Sequence, residues 1–270
     1  MRTQSTRAER WLTELAAFFD SRSEAIAAQH PTLEHLCYVS GRDPRLWTDQ
    51  LYRDLIQSIQ DQLDLDSTHT LLEVGCAAGF LAKGLGPLVS RYTGVDVSKS
   101  ALKIASGLGL RNCTFQYGDG TGIPFETQLF DRAISYDVFT NFPNFEYASK
   151  VISEMVRVVK PGGKIMIGSL ADEEQEAELA RVISALNERL DREKGPRLAP
   201  AARPSVWSRV KPWLLCLDKQ IEPRIVCYCF KRRDFEQWGD RLNVRTQIFD
   251  IHATNPYRGY RFNVVYSKPT

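Results

Sequence analysis

Apolar positions change their period several times along this chain. Between residues 6 and 29, Trp11, Leu12, Leu15, Phe18, Phe19 and Ile26 recur at helical spacing and predict an amphipathic helix, which His30-Pro31 ends. A loop with Tyr38, Gly41 and Arg42 follows, and Pro44 opens a second helix running to about Leu63. From 71 to 168 short apolar runs alternate with helical patterns. Strands fall near 71–74, 92–96, 113–117, 130–135 and 163–168, joined by helices near 79–89, 98–108 and 146–159. Right-handed crossovers put such helices on both faces of one parallel sheet. Residues 172–194 form a charged helix whose Leu179, Val182, Ile183, Leu186 and Leu190 make one narrow apolar face, ended by Gly195-Pro196. Residues 223–230 read as an extended lead-in and 231–242 as a short helix. The segments 244–253 and 259–268 alternate apolar and polar residues, which predicts an antiparallel hairpin.

The stretch around which the rest is arranged is LLEVGCAAGFLAKGL, residues 71–85. A buried strand ending in glycines that feed a helix presents bare backbone N–H groups at a crevice mouth, where a charged nucleotide-like ligand can sit. A Cβ at Gly75 is expected to block that ligand's approach. A dinucleotide site requires glycines at the first, third and sixth positions of the turn. Here those positions hold Gly75, Ala77 and Phe80, and Phe80 occupies the place where helix and strand must close together. What stands there instead is an acid, Glu73, followed by Gly75 and Gly79.

Four further blocks follow in order. RYTGVDVS (91–98) ends its strand at Asp96, about twenty residues beyond Gly75, where an acid can accept ribose hydroxyls. CTFQYGDGTGIPF (113–125) ends at Asp119, LFDRAISYDVFTNFPN (129–144) holds the fourth strand and its loop, and VVKPGGKIMIGSL (158–170) holds a Pro-Gly-Gly turn and the fifth strand. Together these resemble the motifs of the class I S-adenosylmethionine-dependent methyltransferases, closely over 70–170 and more loosely over 225–267. Ala77 departs from the glycine commoner in that family.

The resemblance implies a three-layer, doubly wound α/β fold. Its sheet is mostly parallel with a C-terminal antiparallel hairpin, an N-terminal helical extension and an insertion after the fifth strand. Residues 1–66 form the helical cover, 67–170 and 221–270 the Rossmann-like core, and 171–220 an inserted helix and basic loop that act as a substrate lid. The cofactor it implies is S-adenosyl-L-methionine. Glu73, Gly75, Ala77 and Gly79 shape the turn around its methionine and ribose parts, and Asp96 takes the ribose with Val97 beside the adenine. Gly118, Asp119 and Gly120 edge the adenine, while Ser135 and Tyr136 lie on the sulfonium side. For Asp96 the competing role is a helix N-cap, for which Ser98 is the better candidate.

Composition narrows the acceptor. At 270 residues, with 43% hydrophobic and 25% charged, the chain can bury a full core. A formal charge of +2 gives no electrostatic case for nucleic acid as partner. No apolar run approaches the roughly 20 residues of a membrane span, and the N-terminus lacks a secretory pattern. The six cysteines are scattered, so a reducing cytoplasm is expected rather than a disulfide framework. Cys227-Tyr228-Cys229 has no second ligand pair at metal spacing, and no metal is expected. Between 195 and 212 lie Arg197, Arg203, Arg209 and Lys211 with no acid. That window is either a solvated loop or a site for an anionic acceptor such as a carboxylate or phosphate.

The expected activity is therefore methyl transfer to an O or N atom of a small molecule. The alternatives are an RNA or protein methyltransferase, or a non-catalytic regulator that binds the cofactor. The candidate proton acceptors are His35 and Asp137, with His30 a further one. Oligomeric state has no signature in the sequence.

Overall fold

A computed structural model of the protein describes residues 7–26, 30–195 and 227–270. Its sheet has seven strands in the order β3-β2-β1-β4-β5-β7-β6. These are β1 (Thr70–Val74), β2 (Arg91–Asp96), β3 (Cys113–Tyr117), β4 (Phe130–Tyr136), β5 (Val159–Ala171), β6 (Arg245–Asp250) and β7 (Arg261–Ser267). The first five pair in parallel, and β7 runs antiparallel to both β5 and β6. Successive side chains on a strand face opposite ways, so Leu72 and Ala133 enter one core and Leu71 and Ile134 the other.

The helices among the described residues are α1 (Arg7–Glu24), α2 (Leu33–Val39), α3 (Asp49–Leu63), α4 (Ala82–Leu85), α5 (Lys99–Ser106), α6 (Phe145–Val158), α7 (Glu176–Lys194) and α8 (Arg232–Arg241). Leu36, Ile59, Ala82 and Ala101, from α2 to α5, cover one face of the sheet. Met155 of α6 and Phe235 of α8 cover the other. This is the three-layer, doubly wound arrangement expected from the sequence, with its closing antiparallel pair.

Several local expectations are corrected by capping and breaker chemistry. The segment taken as a loop around Tyr38 contains α2, because Thr32 and His35 form a reciprocal capping box at its start. The next helix begins at Asp49 behind the Thr48 cap; Pro44 lies in the turn before it, where Leu46 N–H donates to the Asp43 carbonyl. The helix expected over 79–89 is only the four residues of α4 followed by a 3-10 turn containing Pro87, since Gly84, Gly86 and Pro87 are poor helix formers. β5 begins at Val159, and its Pro-Gly-Gly segment coincides with a register shift against β4. Residues 196–226 lie outside the described residues. With them go the basic window beyond Gly195 and the second half of the expected insertion.

α1 is tied to the sheet layer by a polar contact as well as by packing. Asp20 Oδ1 accepts from the Ser98 hydroxyl at 2.7 Å and from the Ser100 N–H at 3.0 Å. Its carboxylate thus sits at the N-terminus of α5, where the helix dipole favours negative charge. No helix among the described residues is long and apolar enough to cross a membrane.

Candidate functional site

The carboxyl ends of β1, β2 and β4 open into a cavity of about 760 Å³, counting the solvent at its mouth. Ligands in open α/β sheets bind at this edge, where the strand order reverses. Here the reversal falls at β1, which has β2 on one side and β4 on the other. Across the mouth, α1 contributes Trp11, Leu12, Leu15 and Phe19, so the cavity has an apolar roof over a floor rich in acids.

Most residues singled out in the sequence meet here. Glu73, Gly75, Ala77, Asp96, Val97, Gly118, Asp119, Gly120, Tyr136 and Asp137 all line the cavity. Asp96 organises the floor. Its Oδ2 accepts from the Ala77 N–H at 2.8 Å and its Oδ1 from the Ser98 N–H at 2.8 Å, which ties the end of β2 to the glycine turn. Ser98, not Asp96, caps α5 through the Ala101 N–H. Burial pushes the Asp96 carboxyl up from its ordinary range, and the N–H groups of Ser98, Ala77 and Val97 oppose this. Asp119 accepts from the Thr121 N–H at 2.9 Å and from the Tyr147 hydroxyl at 2.9 Å.

Gly75 is held at φ +83, and a Cβ there would come within 2.4 Å of Val138 Cγ2. The sequence reading assigned its missing side chain to ligand approach; the structure puts the Val138 side chain in that space instead. Ala77 also lies in the left-handed region, at φ +42, a conformation that costs a residue with a Cβ about 1–2 kcal/mol. Ala77→Gly is therefore expected to stabilise the fold by about 1 kcal/mol after its greater unfolded-state entropy is counted. A rise in urea midpoint at unchanged m-value would confirm this, and an unchanged or lower midpoint would refute it.

Three residues stand elsewhere than expected. Ser135 is fully buried and does not line the cavity; its hydroxyl donates to the Val74 carbonyl at 2.8 Å, joining β4 to β1. Gly79, at φ +84, is outside the lining too, and a Cβ on it would meet Leu108 Cδ1 at 2.8 Å. His35 is also absent from the lining. Its Nδ1 accepts from the Thr32 N–H at 3.0 Å, so the imidazole serves the cap of α2 and is not placed to take a proton from an acceptor.

Asp137 does line the cavity, with both oxygens engaged. Arg42 Nη2 lies 2.9 Å from Oδ2 and Arg261 Nη1 lies 3.1 Å from Oδ1. Its backbone is left-handed at φ +61 and is held by an N–H bond to the Gly168 carbonyl. Sequence reasoning placed Arg42 in a loop without assigning it a role. It did not connect Trp11, Phe142 and Tyr147, which stack edge to face in the cavity lining, with the Tyr147 hydroxyl on Asp119.

Glu73 is buried and accepts a hydrogen bond from the Tyr92 hydroxyl. Burial pushes its carboxyl up to about 8, against the ordinary 4.5, with the Tyr92 bond and Arg42 opposing. The unfolded chain releases this proton near 4.5 while the folded protein keeps it to about 8. The Glu73 contribution to stability is thus full below the first value and lost as pH rises to the second. Relative to wild type, Glu73→Gln is expected to gain stability through that interval and hold a constant lead above it. Urea unfolding at a series of pH values tests this, and a difference that does not vary with pH would contradict it.

Comparison with known proteins bears on the fold and the family. A family model described as a methyltransferase domain matches residues 72–167. Methyltransferase GfsG of Streptomyces halstedii is 27% identical over 186 residues, 62% of this chain and 62% of that protein. Phthiotriol/phenolphthiotriol dimycocerosates methyltransferase 1 of Mycobacterium ulcerans is 31% identical over 113 residues, 40% of each chain. The chain thus matches about three fifths of the first relative's length and two fifths of the second's. Among solved structures, the Bacillus subtilis YcgJ protein superposes with a TM-score of 0.53 at 15% identity, covering 81% of this chain and 99% of its own. Phosphoethanolamine N-methyltransferase 1 of Haemonchus contortus, solved with phosphoethanolamine and S-adenosylhomocysteine, gives 0.62 at 12%, covering 98% and 50%. These two likenesses are likenesses of fold.

Proposed function

We propose, for a chain that belongs to the class I S-adenosylmethionine-dependent methyltransferase family, that it transfers a methyl group to an oxygen or nitrogen of a small-molecule acceptor. The observation that carries this reading is the roofed cavity, with Asp96 and Asp119 on the floor and α1 above them. The donor set suits the cofactor: acids for ribose hydroxyls and an adenine amino group, apolar walls for the ring, and more negative than positive side chains facing a sulfonium.

When bound, S-adenosylmethionine would supply an electrophilic methyl to an acceptor lone pair, its sulfur keeping the pair of the C–S bond and the acceptor's proton passing to solvent. In this reading the chain's own part is alignment and exclusion of water. Asp96 takes the ribose, Val97 flanks the adenine, and Gly118, Asp119 and Gly120 form its edge. The turn from Glu73 to Ala77 would follow the methionine, and Tyr136 would stand on the sulfonium side. Residues 1–66 act as a cover, which the place of Trp11, Leu12, Leu15 and Phe19 in the roof supports. The buried thiols of Cys37 and Cys76 suit a reducing cytoplasm.

The test is incubation with S-adenosylmethionine and a panel of small hydroxylated and amino compounds, some bearing carboxylate or phosphate, with RNA and protein as separate arms. Mass spectrometry should find one small product heavier by a methylene group, with S-adenosylhomocysteine formed in equal amount. Methylation confined to the RNA or protein arm would replace the small-molecule reading. Cofactor binding with no product in any arm would favour a non-catalytic regulator.

A further inference from the structure

We infer that the acceptor carries an oxyanion, carboxylate or phosphate, and that Arg261 holds it; this deepens the methyltransferase reading above and rests on it. Arg261 opens β7, paired with Ala171 at the end of β5. In the order β1-β4-β5-β7 that start lies two strands past β4, roughly 10 Å further from the glycine turn. The side chain reaches back toward the cavity without lining it, and its Nη1 stands 3.1 Å from Oδ1 of Asp137, which does line it. An acceptor anchored on Arg261 would extend past Asp137 into the cavity, leaving the floor around Asp96 to the cofactor.

The strands deform to aim this guanidinium. The register of β5 against β7 shifts between Ile167 and Leu170, and within that irregularity Ser169 is left-handed at φ +61. Bulges of this kind re-aim a side chain. Here the Ser169 hydroxyl accepts from Arg261 Nη1 at 3.0 Å, while the Ser169 N–H donates to Asn263 Oδ1 at 2.9 Å. The other partner of Nη1, Asp137, is itself left-handed and bonded to the carbonyl of Gly168, beside Ser169. Two non-glycine residues thus hold an uncommon backbone conformation around one cation, the kind of strain that marks a placed functional group.

The guanidinium is not used up by these contacts. Both bonds come from Nη1, and Nε is buried with no hydrogen-bond partner among the described residues. Nε and Nη2 form the edge by which an arginine grips a carboxylate or phosphate in a bidentate pair. A donor enclosed without an acceptor is costly, and an oxyanion on that edge would satisfy it. The surroundings are set in advance. The Tyr257 ring centroid lies 4.9 Å from the guanidinium carbon, and Thr254 of the same loop donates to Asp54 Oδ2 at 2.8 Å. The charges of Arg261 and Asp137 both act on the Cys227 thiol, which puts that segment beside them, and the Tyr228 N–H fastens it to the Thr140 carbonyl at 2.8 Å. Such preorganisation lowers the ordering cost of binding.

Protein saturated with S-adenosylhomocysteine has its cofactor place filled and can be titrated with small probes. Benzoate and phenyl phosphate present the two oxyanions, and benzamide is the neutral control. By calorimetry, wild type should bind at least one anion about tenfold or more tighter than benzamide, and Arg261→Gln should lose that preference. Its affinities for benzamide and for S-adenosylhomocysteine should stay within about twofold of wild type. Arg261→Lys, which keeps the charge without the paired edge, should fall between, and it carries the comparison if Arg261→Gln melts early. Wild type that binds S-adenosylhomocysteine but prefers neither anion overturns the inference and leaves the methyltransferase reading standing. So does an anion preference retained in folded Arg261→Gln, the outcome if Arg261 only braces Asp137 and Ser169. A loss of S-adenosylhomocysteine affinity in a variant that melts as wild type does would assign Arg261 to the cofactor and overturn it too. Wild-type protein that takes up no S-adenosylhomocysteine overturns the methyltransferase reading itself and this inference with it.

Discussion

Asp96→Ala should weaken S-adenosylhomocysteine binding by about a hundredfold or more. A carboxylate accepting a pair of ribose hydroxyls makes charge-assisted hydrogen bonds, each worth about 1.5–3 kcal/mol when the site is shielded from water. Two lost together correspond to at least about two decades in Kd. The same substitution strips the Ala77 and Ser98 N–H groups of their partner. Part of the affinity loss therefore comes through the turn itself. Asp96→Asn, which still offers one carbonyl oxygen, should lose less. Calorimetric titration of both variants, with melting curves beside them, checks the pair. Undiminished binding by folded Asp96→Ala would remove the ribose role.

Gly75→Ala should be the most damaging single methyl addition in the site. Two penalties combine there. A backbone at φ +83 disfavours any Cβ, at about 1–2 kcal/mol, and a Cβ 2.4 Å from Val138 Cγ2 forces repacking, at about 1–3 kcal/mol. Destabilisation of about 2–5 kcal/mol is expected, read as a lower urea midpoint. Adding Val138→Ala to the variant should return the packing part and leave the backbone part. Wild-type stability combined with lost cofactor binding would instead mean that the methyl collides with the ligand.

These two residues also show how far the sequence could be read. Strands, crossovers and acids at strand ends are local features, carried by apolar period and glycine placement, and Asp96, Asp119 and the closing hairpin were visible on that basis. Gly75 was recognised for a neighbouring reason: its backbone demand is written in the sequence, but the atom that would oppose a Cβ comes from the loop after β4. Ser135 followed the strand into the right region, but only coordinates show that its hydroxyl joins β4 to β1.

Residues delivered by tertiary packing were the hardest to read. Arg42 and Trp11 reach the cavity from segments separated from the glycine turn by entire helices, and no spacing rule connects them to it. His35 shows the reverse error. Its pKa class suggested a base, while the Thr32-x-x-His35 spacing, which signals a cap, was there to be weighed. A side chain that completes a helix end is already committed, whatever its titration range.

A crystal structure of the protein grown with S-adenosylhomocysteine tests the central claim most directly. The account predicts the ribose hydroxyls on the Asp96 carboxylate, the adenine beside Val97 and Asp119, and the homocysteine tail crossing the glycine turn beneath α1. A ligand bound elsewhere, or lying in the cavity without touching Asp96, would contradict it.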